Sequence, residues 1–153
     1  VNDSSDSPDM ILQQRRAGVL LHITSLPGLH DQGDMGEEAY RFIDFLAEVG
    51  ASVWQTLPLG MPHGDRSPYQ CLSAHAGNPE LISIEWLIKK DWLDEAGLPS
   101  LENCLDDIKF RHTCFKTCFL TFEERADKQD IQAFEKFCRE KSWWLDDFAL
   151  FLT

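Results

Sequence analysis

Basic residues are scarce in this chain of 153 residues: 14 Lys and Arg stand against 26 Asp and Glu, a formal net charge of −12. Nucleic acids and anionic membranes attract proteins through clustered Lys and Arg, and the only adjacent basic pairs here are Arg15-Arg16 and Lys89-Lys90. Neither kind of partner is expected. Also missing is any apolar run near the roughly 20 residues that cross a bilayer. The Asp-rich start has no basic flank followed by an apolar stretch, so a signal peptide is not expected and a cytoplasmic location is. The five cysteines are odd in number and contain no CxxC pair, which makes reduced thiols the default and no metal the expectation. Cys114 and Cys118, four apart, read as apolar packing on one helix face. What is present is 43% hydrophobic and 11% aromatic residues, enough for a packed core, and the length by itself suggests one domain.

Residues 1–14 are polar, Ser/Asp-rich and interrupted by Pro8, as in a mobile arm. The run AGVLLHIT (17–24) is short, apolar and followed by the turn signal SLPG, which predicts a strand over 18–23 buried on both faces. Asp34 with Glu37 three residues later is a helix-start signature. Ala39, Phe42, Ile43, Leu46 and Val49 then recur at helical spacing, and Gly50 supplies a stop. SVWQTLP (52–58) reads as a second strand. Strand, helix and strand in that order predict a βαβ unit with parallel strands, hence an α/β fold.

From 59 to 79 no helical period is visible, and Gly60, Pro62 and Gly64 break the chain early. A long connection leaving the C-terminal end of a parallel strand sits where α/β proteins place their sites. A small strand is expected over 81–84 and a helical turn over 85–90. The remainder reads as helical: Phe110, Cys114, Phe115, Cys118 and Phe122 mark a helix over 108–125, Asp130 can cap another, and Ser142 can cap a third. That third helix, WWLDDFALFL (143–152), is apolar on nearly every side, as in a segment buried on more than one face, and it ends at Thr153 with no stop signal.

Several motifs follow one another in order: GVLLHITSLPG (18–28), DMG (34–36), WQTLPLG (54–60), GDRSPYQ (64–70), AGNP (76–79) and WLDDFALF (144–151). The series resembles the N-terminal end of the 4-α-glucanotransferases, the amylomaltases or disproportionating enzymes. The likeness covers nearly everything after the polar arm. It implies the N-terminal part of a (β/α)8 TIM-type barrel with the start of a mainly helical inserted subdomain. On that basis residues 15–84 are the first βα units with a glucan-site loop at 59–79, and 85–153 belong to the insertion. Such a barrel typically needs about 250 residues. An incomplete barrel, an N-terminal fragment, is therefore expected.

The resemblance further implies transfer of an α-1,4-glucan segment to the 4-hydroxyl of another glucan or of glucose, with retention and without a cofactor. Maltooligosaccharides and dextrins from starch or glycogen would be the partners. Retention needs a carboxylate nucleophile and a carboxylic acid about 5–5.5 Å away. In the family these groups lie on later barrel strands, so no catalytic residue is expected within this chain, which by itself should be inactive and poorly packed.

The resemblance carries three substrate-binding candidates: Tyr69, like the family's active-site tyrosine, with Ser67 and Asp65 beside it. A phenol ring can pack on a pyranose face while its hydroxyl bonds a sugar oxygen. Arg66 departs from the pattern, where a small or acidic residue is expected. His22 and Trp54 read as core groups, Gln55 as groove-facing, and Asn78-Pro79 as a turn. Asp146 and Asp147, adjacent on a helix, point about 100° apart and make a poor acid/base pair. A non-catalytic carbohydrate-binding or interaction module derived from the barrel front end is the alternative. An α-amylase-like hydrolase fits the 64–70 segment less well.

Overall fold

A computed structural model describes residues 15–28, 32–98 and 107–153. The expected arm at 1–14 and Cys104 lie outside the described residues. Strand β1 (Gly18–Leu20) and strand β2 (Val53–Gln55) form a two-stranded parallel sheet with Val19 opposite Trp54. Between them runs helix α1 (Glu37–Glu48), so the βαβ order read from the sequence is the one observed. Gly18 is required by the pairing, because a Cβ there would stand 2.6 Å from the carbonyl oxygen of Val53.

β1 departs from expectation in two ways. It ends at Leu20, and the chain then tightens into a 3-10 turn, Ile23–Ser25, that buries Ile23. Its three residues are all exposed, Leu20 at 58%, whereas burial on both faces was expected. The reason is the company the strand keeps: β2 is its only strand neighbour among the described residues. α1 reaches the sheet through Phe42, whose ring meets Trp54 edge-on at 5.0 Å.

α1 begins at Glu37 with Gly36 as its cap, not Asp34. Asp34 instead accepts the Gly36 N–H through Oδ1 at 2.8 Å, fixing the turn that leads into the helix. Glu37 and Glu38 place negative charge at the positive end of the helix dipole. At the other end Gly50 adopts φ 74°, its N–H bonds the carbonyl of Ala47, and the Ala51 N–H reaches that of Leu46. That is a Schellman closure, and the left-handed residue favours glycine.

The expected strand at 81–84 does not form. Pro79–Leu81 is a 3-10 turn capped by Asn78, and helix α2 (Ile84–Lys89) starts immediately after Ser83, whose Oγ accepts the Trp86 N–H. Ser83 and Asn78 as consecutive caps explain why a β-branched, apolar run becomes helical: local side-chain acceptors satisfy N–H groups that a strand would have left open.

Helix α3 (Asp107–Arg125) sets Phe110, Cys114 and Cys118 at four-residue spacing onto Ile84, Leu87 and Leu93, and these six form the core. The paired cysteines are thus packing groups, as read from the sequence, and burial pushes the Cys118 thiol further from ionisation. Helix α4 (Lys128–Phe151) is one continuous helix. Its cap is Asp127, which accepts the N–H groups of Gln129 and Asp130, so neither Asp130 nor Ser142 starts a helix. Ser142 stays inside by donating its hydroxyl to the Arg139 carbonyl at 3.2 Å. No residue of α4 is buried, and Trp143, Leu150 and Phe151 are exposed, against the expected burial on several faces.

One charged side chain ties the helical part to the βαβ unit. Arg111 of α3 is only 1% exposed, and it donates to the Ile82 carbonyl at 2.9 Å and to Asp34 Oδ2 at 3.3 Å. Removing the guanidinium takes the partner from a part-buried carboxylate and carbonyl. Arg111→Met should lower stability by about 3 kcal/mol in urea unfolding.

Candidate functional site

The connection from 59 to 79 is not structureless. Gly60 bridges Gly77 and Pro62 bridges Cys71, both antiparallel, and the Leu72 N–H bonds the Met61 carbonyl at 2.8 Å. The segment is a hairpin-like arm rooted where β2 ends. Its tip is built from two side-by-side turns. The Arg66 N–H bonds the His63 carbonyl, Asp65 Oδ1 accepts the Ser67 N–H at 3.1 Å, and the Gln70 N–H bonds the Ser67 carbonyl. Pro68 follows Ser67 in the second turn, where its fixed φ is suited to the first central position.

This tip settles where the three candidates stand. Asp65 is exposed and spends one oxygen on holding the turn; Ser67 is half-buried behind it. Tyr69 is 73% exposed at the apex of the second turn. None of the three lines the cavity that Arg66 and Pro68, interleaved with them, help to form.

That cavity has a volume of about 340 Å³ and lies beyond the C-terminal ends of β1 and β2. Its polar lining comes from three segments: His22 and Thr24 after β1, Gln32 before α1, and Arg66, Asn78 and Glu80 from the arm and the turn that follows it. Asn78 keeps the role read from the sequence, since its Oδ1 accepts the Glu80 N–H at 3.0 Å. Trp54 packs as expected, with its indole N–H donated to the Leu21 carbonyl at 2.8 Å. Gln55, expected to face the groove, is exposed and does not line the cavity.

His22, read from the sequence as a core group, forms part of the cavity wall. Its Nδ1 is buried and has no hydrogen-bond partner among the described residues, and burial lowers the imidazole pKa below its ordinary value of 6.5. The ring is therefore neutral at pH 7 and offers a sugar hydroxyl or a water either a donor or an acceptor. Glu80 and Gln32 were not singled out from the sequence. Only the folding back of the arm brings position 80 beside 32 and 66, so no local spacing could have marked them.

A second, shallower depression of about 750 Å³ runs over Met35, Tyr40, Leu59, Ile82 and Trp86 and is mainly apolar. From the far side, His75 of the arm packs edge-on against Trp143 of α4 at 4.7 Å, so the longest helix braces the site loop. Among the described residues no group of three or more His, Cys, Asp or Glu is placed to hold a metal ion. Asp146 and Asp147 are exposed on α4 and lie outside the cavity lining.

Comparison with known proteins gives a consistent picture. The sequence profile described as 4-alpha-glucanotransferase matches residues 21–153. The 4-alpha-glucanotransferase of Synechocystis is 41% identical over 150 residues, covering 94% of this chain and 30% of the relative. That of Thermus thermophilus is 40% identical over 144 residues, covering 91% of this chain and 28% of its own length. The chloroplastic/amyloplastic enzyme of Arabidopsis thaliana is 54% identical over 86 residues, 56% of this chain and 15% of the relative. Among solved structures, an amylomaltase from Streptococcus agalactiae in complex with acarbose superposes with a TM-score of 0.74 at 32% identity, covering 85% of this chain and 28% of that one. The chain thus spans less than a third of the length of these relatives.

The partly buried imidazole makes a pH prediction. A lowered native pKa means that the unfolded chain binds the proton more readily, so stability is complete above the ordinary value of 6.5 and is lost as pH falls from there through the native value. His22→Gln should flatten that part of the stability profile, measured by urea unfolding at pH 7.5 and pH 5.

Proposed function

Because the chain belongs to the 4-alpha-glucanotransferase family, we propose that it supplies the front wall of the sugar site of an enzyme that moves an α-1,4-glucan segment onto the 4-hydroxyl of an acceptor glucan or of glucose. The observation that carries this reading is the cavity at the C-terminal ends of the two parallel strands, bounded by the Arg66–Pro68 edge of the tyrosine turn. Enzymes built on parallel strands place their chemistry at that end. In this reading β1, α1 and β2 are the opening units of a (β/α)8 barrel, and the helices after residue 84 are the start of a subdomain flanking the glucan groove.

The reaction is a retaining double displacement. A carboxylate attacks the anomeric carbon while a carboxylic acid protonates the leaving oxygen, and the same group then deprotonates the acceptor hydroxyl. These two carboxylates belong to the part of the relatives that this chain does not span. What this chain contributes is binding. Tyr69, one residue beyond the cavity-lining Pro68, offers an exposed ring face to a pyranose, and Asp65 and Ser67 shape the turn that presents it. The neutral imidazole of His22 and the side chain of Asn78 line the floor with groups suited to hydroxyls. Maltooligosaccharides and dextrins are the substrates this wall fits. Cys71, Cys118 and Cys138 are free, which suits a reducing cytoplasmic setting.

Two measurements test the reading. Tyr69→Ala should weaken maltotriose binding by about fivefold in calorimetric titration, the loss of about 1 kcal/mol of ring packing. The chain by itself should release no glucose from maltotriose. Sustained transfer would put the reacting carboxylates within these residues and overturn the assignment; glucan binding without transfer in any longer context would favour a carbohydrate-binding module.

A further inference from the structure

One charged pair in the cavity has no part in building the turn that presents Tyr69. Arg66 at the tip of the arm and Glu80 on the Pro79–Leu81 turn face each other with Nη2 and Oε2 3.5 Å apart, and Gln32 donates its amide N–H to the same Oε2 at 3.4 Å. All three line the cavity, and they come from three separate segments of the chain.

The pair is a poor staple. Its distances are long and the Arg66 side chain is 51% exposed, so it contributes little to stability. It is also held at a steric cost. Arg66 has φ 58°, the left-handed region that glycine enters freely and a side chain bearing a Cβ does not. Backbone kept in that region, around a group that stabilises little, is a pattern met at ligand sites.

The carboxylate has capacity to spare. Both donors fall on Oε2, and among the described residues no hydrogen bond is made to Oε1. A carboxylate has about four acceptor positions, and a guanidinium with one long contact keeps several donors uncommitted. We propose that Glu80, braced by Arg66 and Gln32, is a binding residue for adjacent hydroxyls of a glucose unit in the cavity, with the carboxylate accepting from one hydroxyl and the Arg66 guanidinium donating to its neighbour. This rests on the glucan reading of the cavity and adds two residues to it that the tyrosine motif does not contain. The ligand is a neutral sugar and not a sugar phosphate, because a phosphate drawn to Arg66 would also meet the Glu80 carboxylate, in a chain of formal net charge −12.

The test uses the 153-residue chain, with maltotriose and glucose 1-phosphate as probes, and reads affinity by calorimetry and stability by thermal melting. Glu80→Gln keeps the shape and removes the charge; Arg66→Gly removes the donors and frees the backbone. Each should weaken maltotriose at least fivefold, with the melting temperature unchanged for Glu80→Gln and unchanged or raised for Arg66→Gly. Glucose 1-phosphate should bind no more tightly than maltotriose. Wild-type affinity in both variants, with Tyr69→Ala still weakened, removes the proposal and leaves the glucan reading standing. Absence of maltotriose binding by the unsubstituted chain removes both. A lower melting temperature of Arg66→Gly at unchanged affinity makes the pair a loop pin and overturns the proposal. Tighter binding of glucose 1-phosphate, lost in Arg66→Gly, makes the site an anion site and overturns it as well.

Discussion

The guanidinium of Arg111, in the interior of the chain, joins its two halves. It emerges from α3, the helix that also carries Phe110, Cys114 and Cys118 into the core, and it ends on the Ile82 carbonyl and on Asp34. Asp34 in turn holds the Gly36 N–H at the entrance to α1, and the Met35 N–H bonds the Leu81 carbonyl. Through these bonds the turn before α1 and the turn before α2 are locked side by side. Gln32 and Glu80, which flank that lock, are the residues that meet across the cavity. A charge in the interior is costly unless every partner is in place, so the arrangement admits little slack, and the geometry of the cavity wall inherits that rigidity.

Away from this node the chain buries little. Among the described residues the sheet is two strands wide and open at every position but Trp54, Ile43 of α1 and Val49 just after it are uncovered, and α4 has no buried residue. The core proper sits between α2 and α3, to one side of the βαβ unit. In the proposed barrel the open faces of β1 and β2 are interior surfaces, and the cavity beyond them is one wall of a groove. The aromatic contacts of His75 with Trp143 and of Phe122 with Phe134 then hold α4 beside the arm and beside α3 in spite of its exposed stripe.

The site was legible in unequal measure. Gly-Asp-Arg-Ser-Pro-Tyr-Gln marks a turn by composition alone, and the Asp65 and Pro68 turn chemistry is what the residues dictate. Which of its side chains face the cavity is a different matter. The resemblance drew attention to Asp65, Ser67 and Tyr69, whereas the fold turns Arg66 and Pro68 inward. The sequence reads His22 as a core group because a lone histidine in an apolar strand usually is one. Its position after the strand's early end, at Leu20, sets it on the wall instead.

Periodicity and turn chemistry, both local properties, determined much from the sequence alone: the order of strand, helix and strand, the stop at Gly50, the helix over Phe110 and Cys118, and the Asn78 turn; the family came from the resemblance of the ordered motifs. Helix boundaries failed where the side chain read as the cap serves another group: Asp34 holds the Gly36 N–H ahead of α1, and Asp130 accepts from Lys90 while Asp127 caps α4. Burial and the cavity were decided by tertiary structure. A run of apolar residues says what a segment would gain by being covered, and only the packing says whether anything covers it. The meeting of Gln32, Arg66 and Glu80 is of the same kind: three segments far apart in the chain, brought together by one interior arginine and a folded arm.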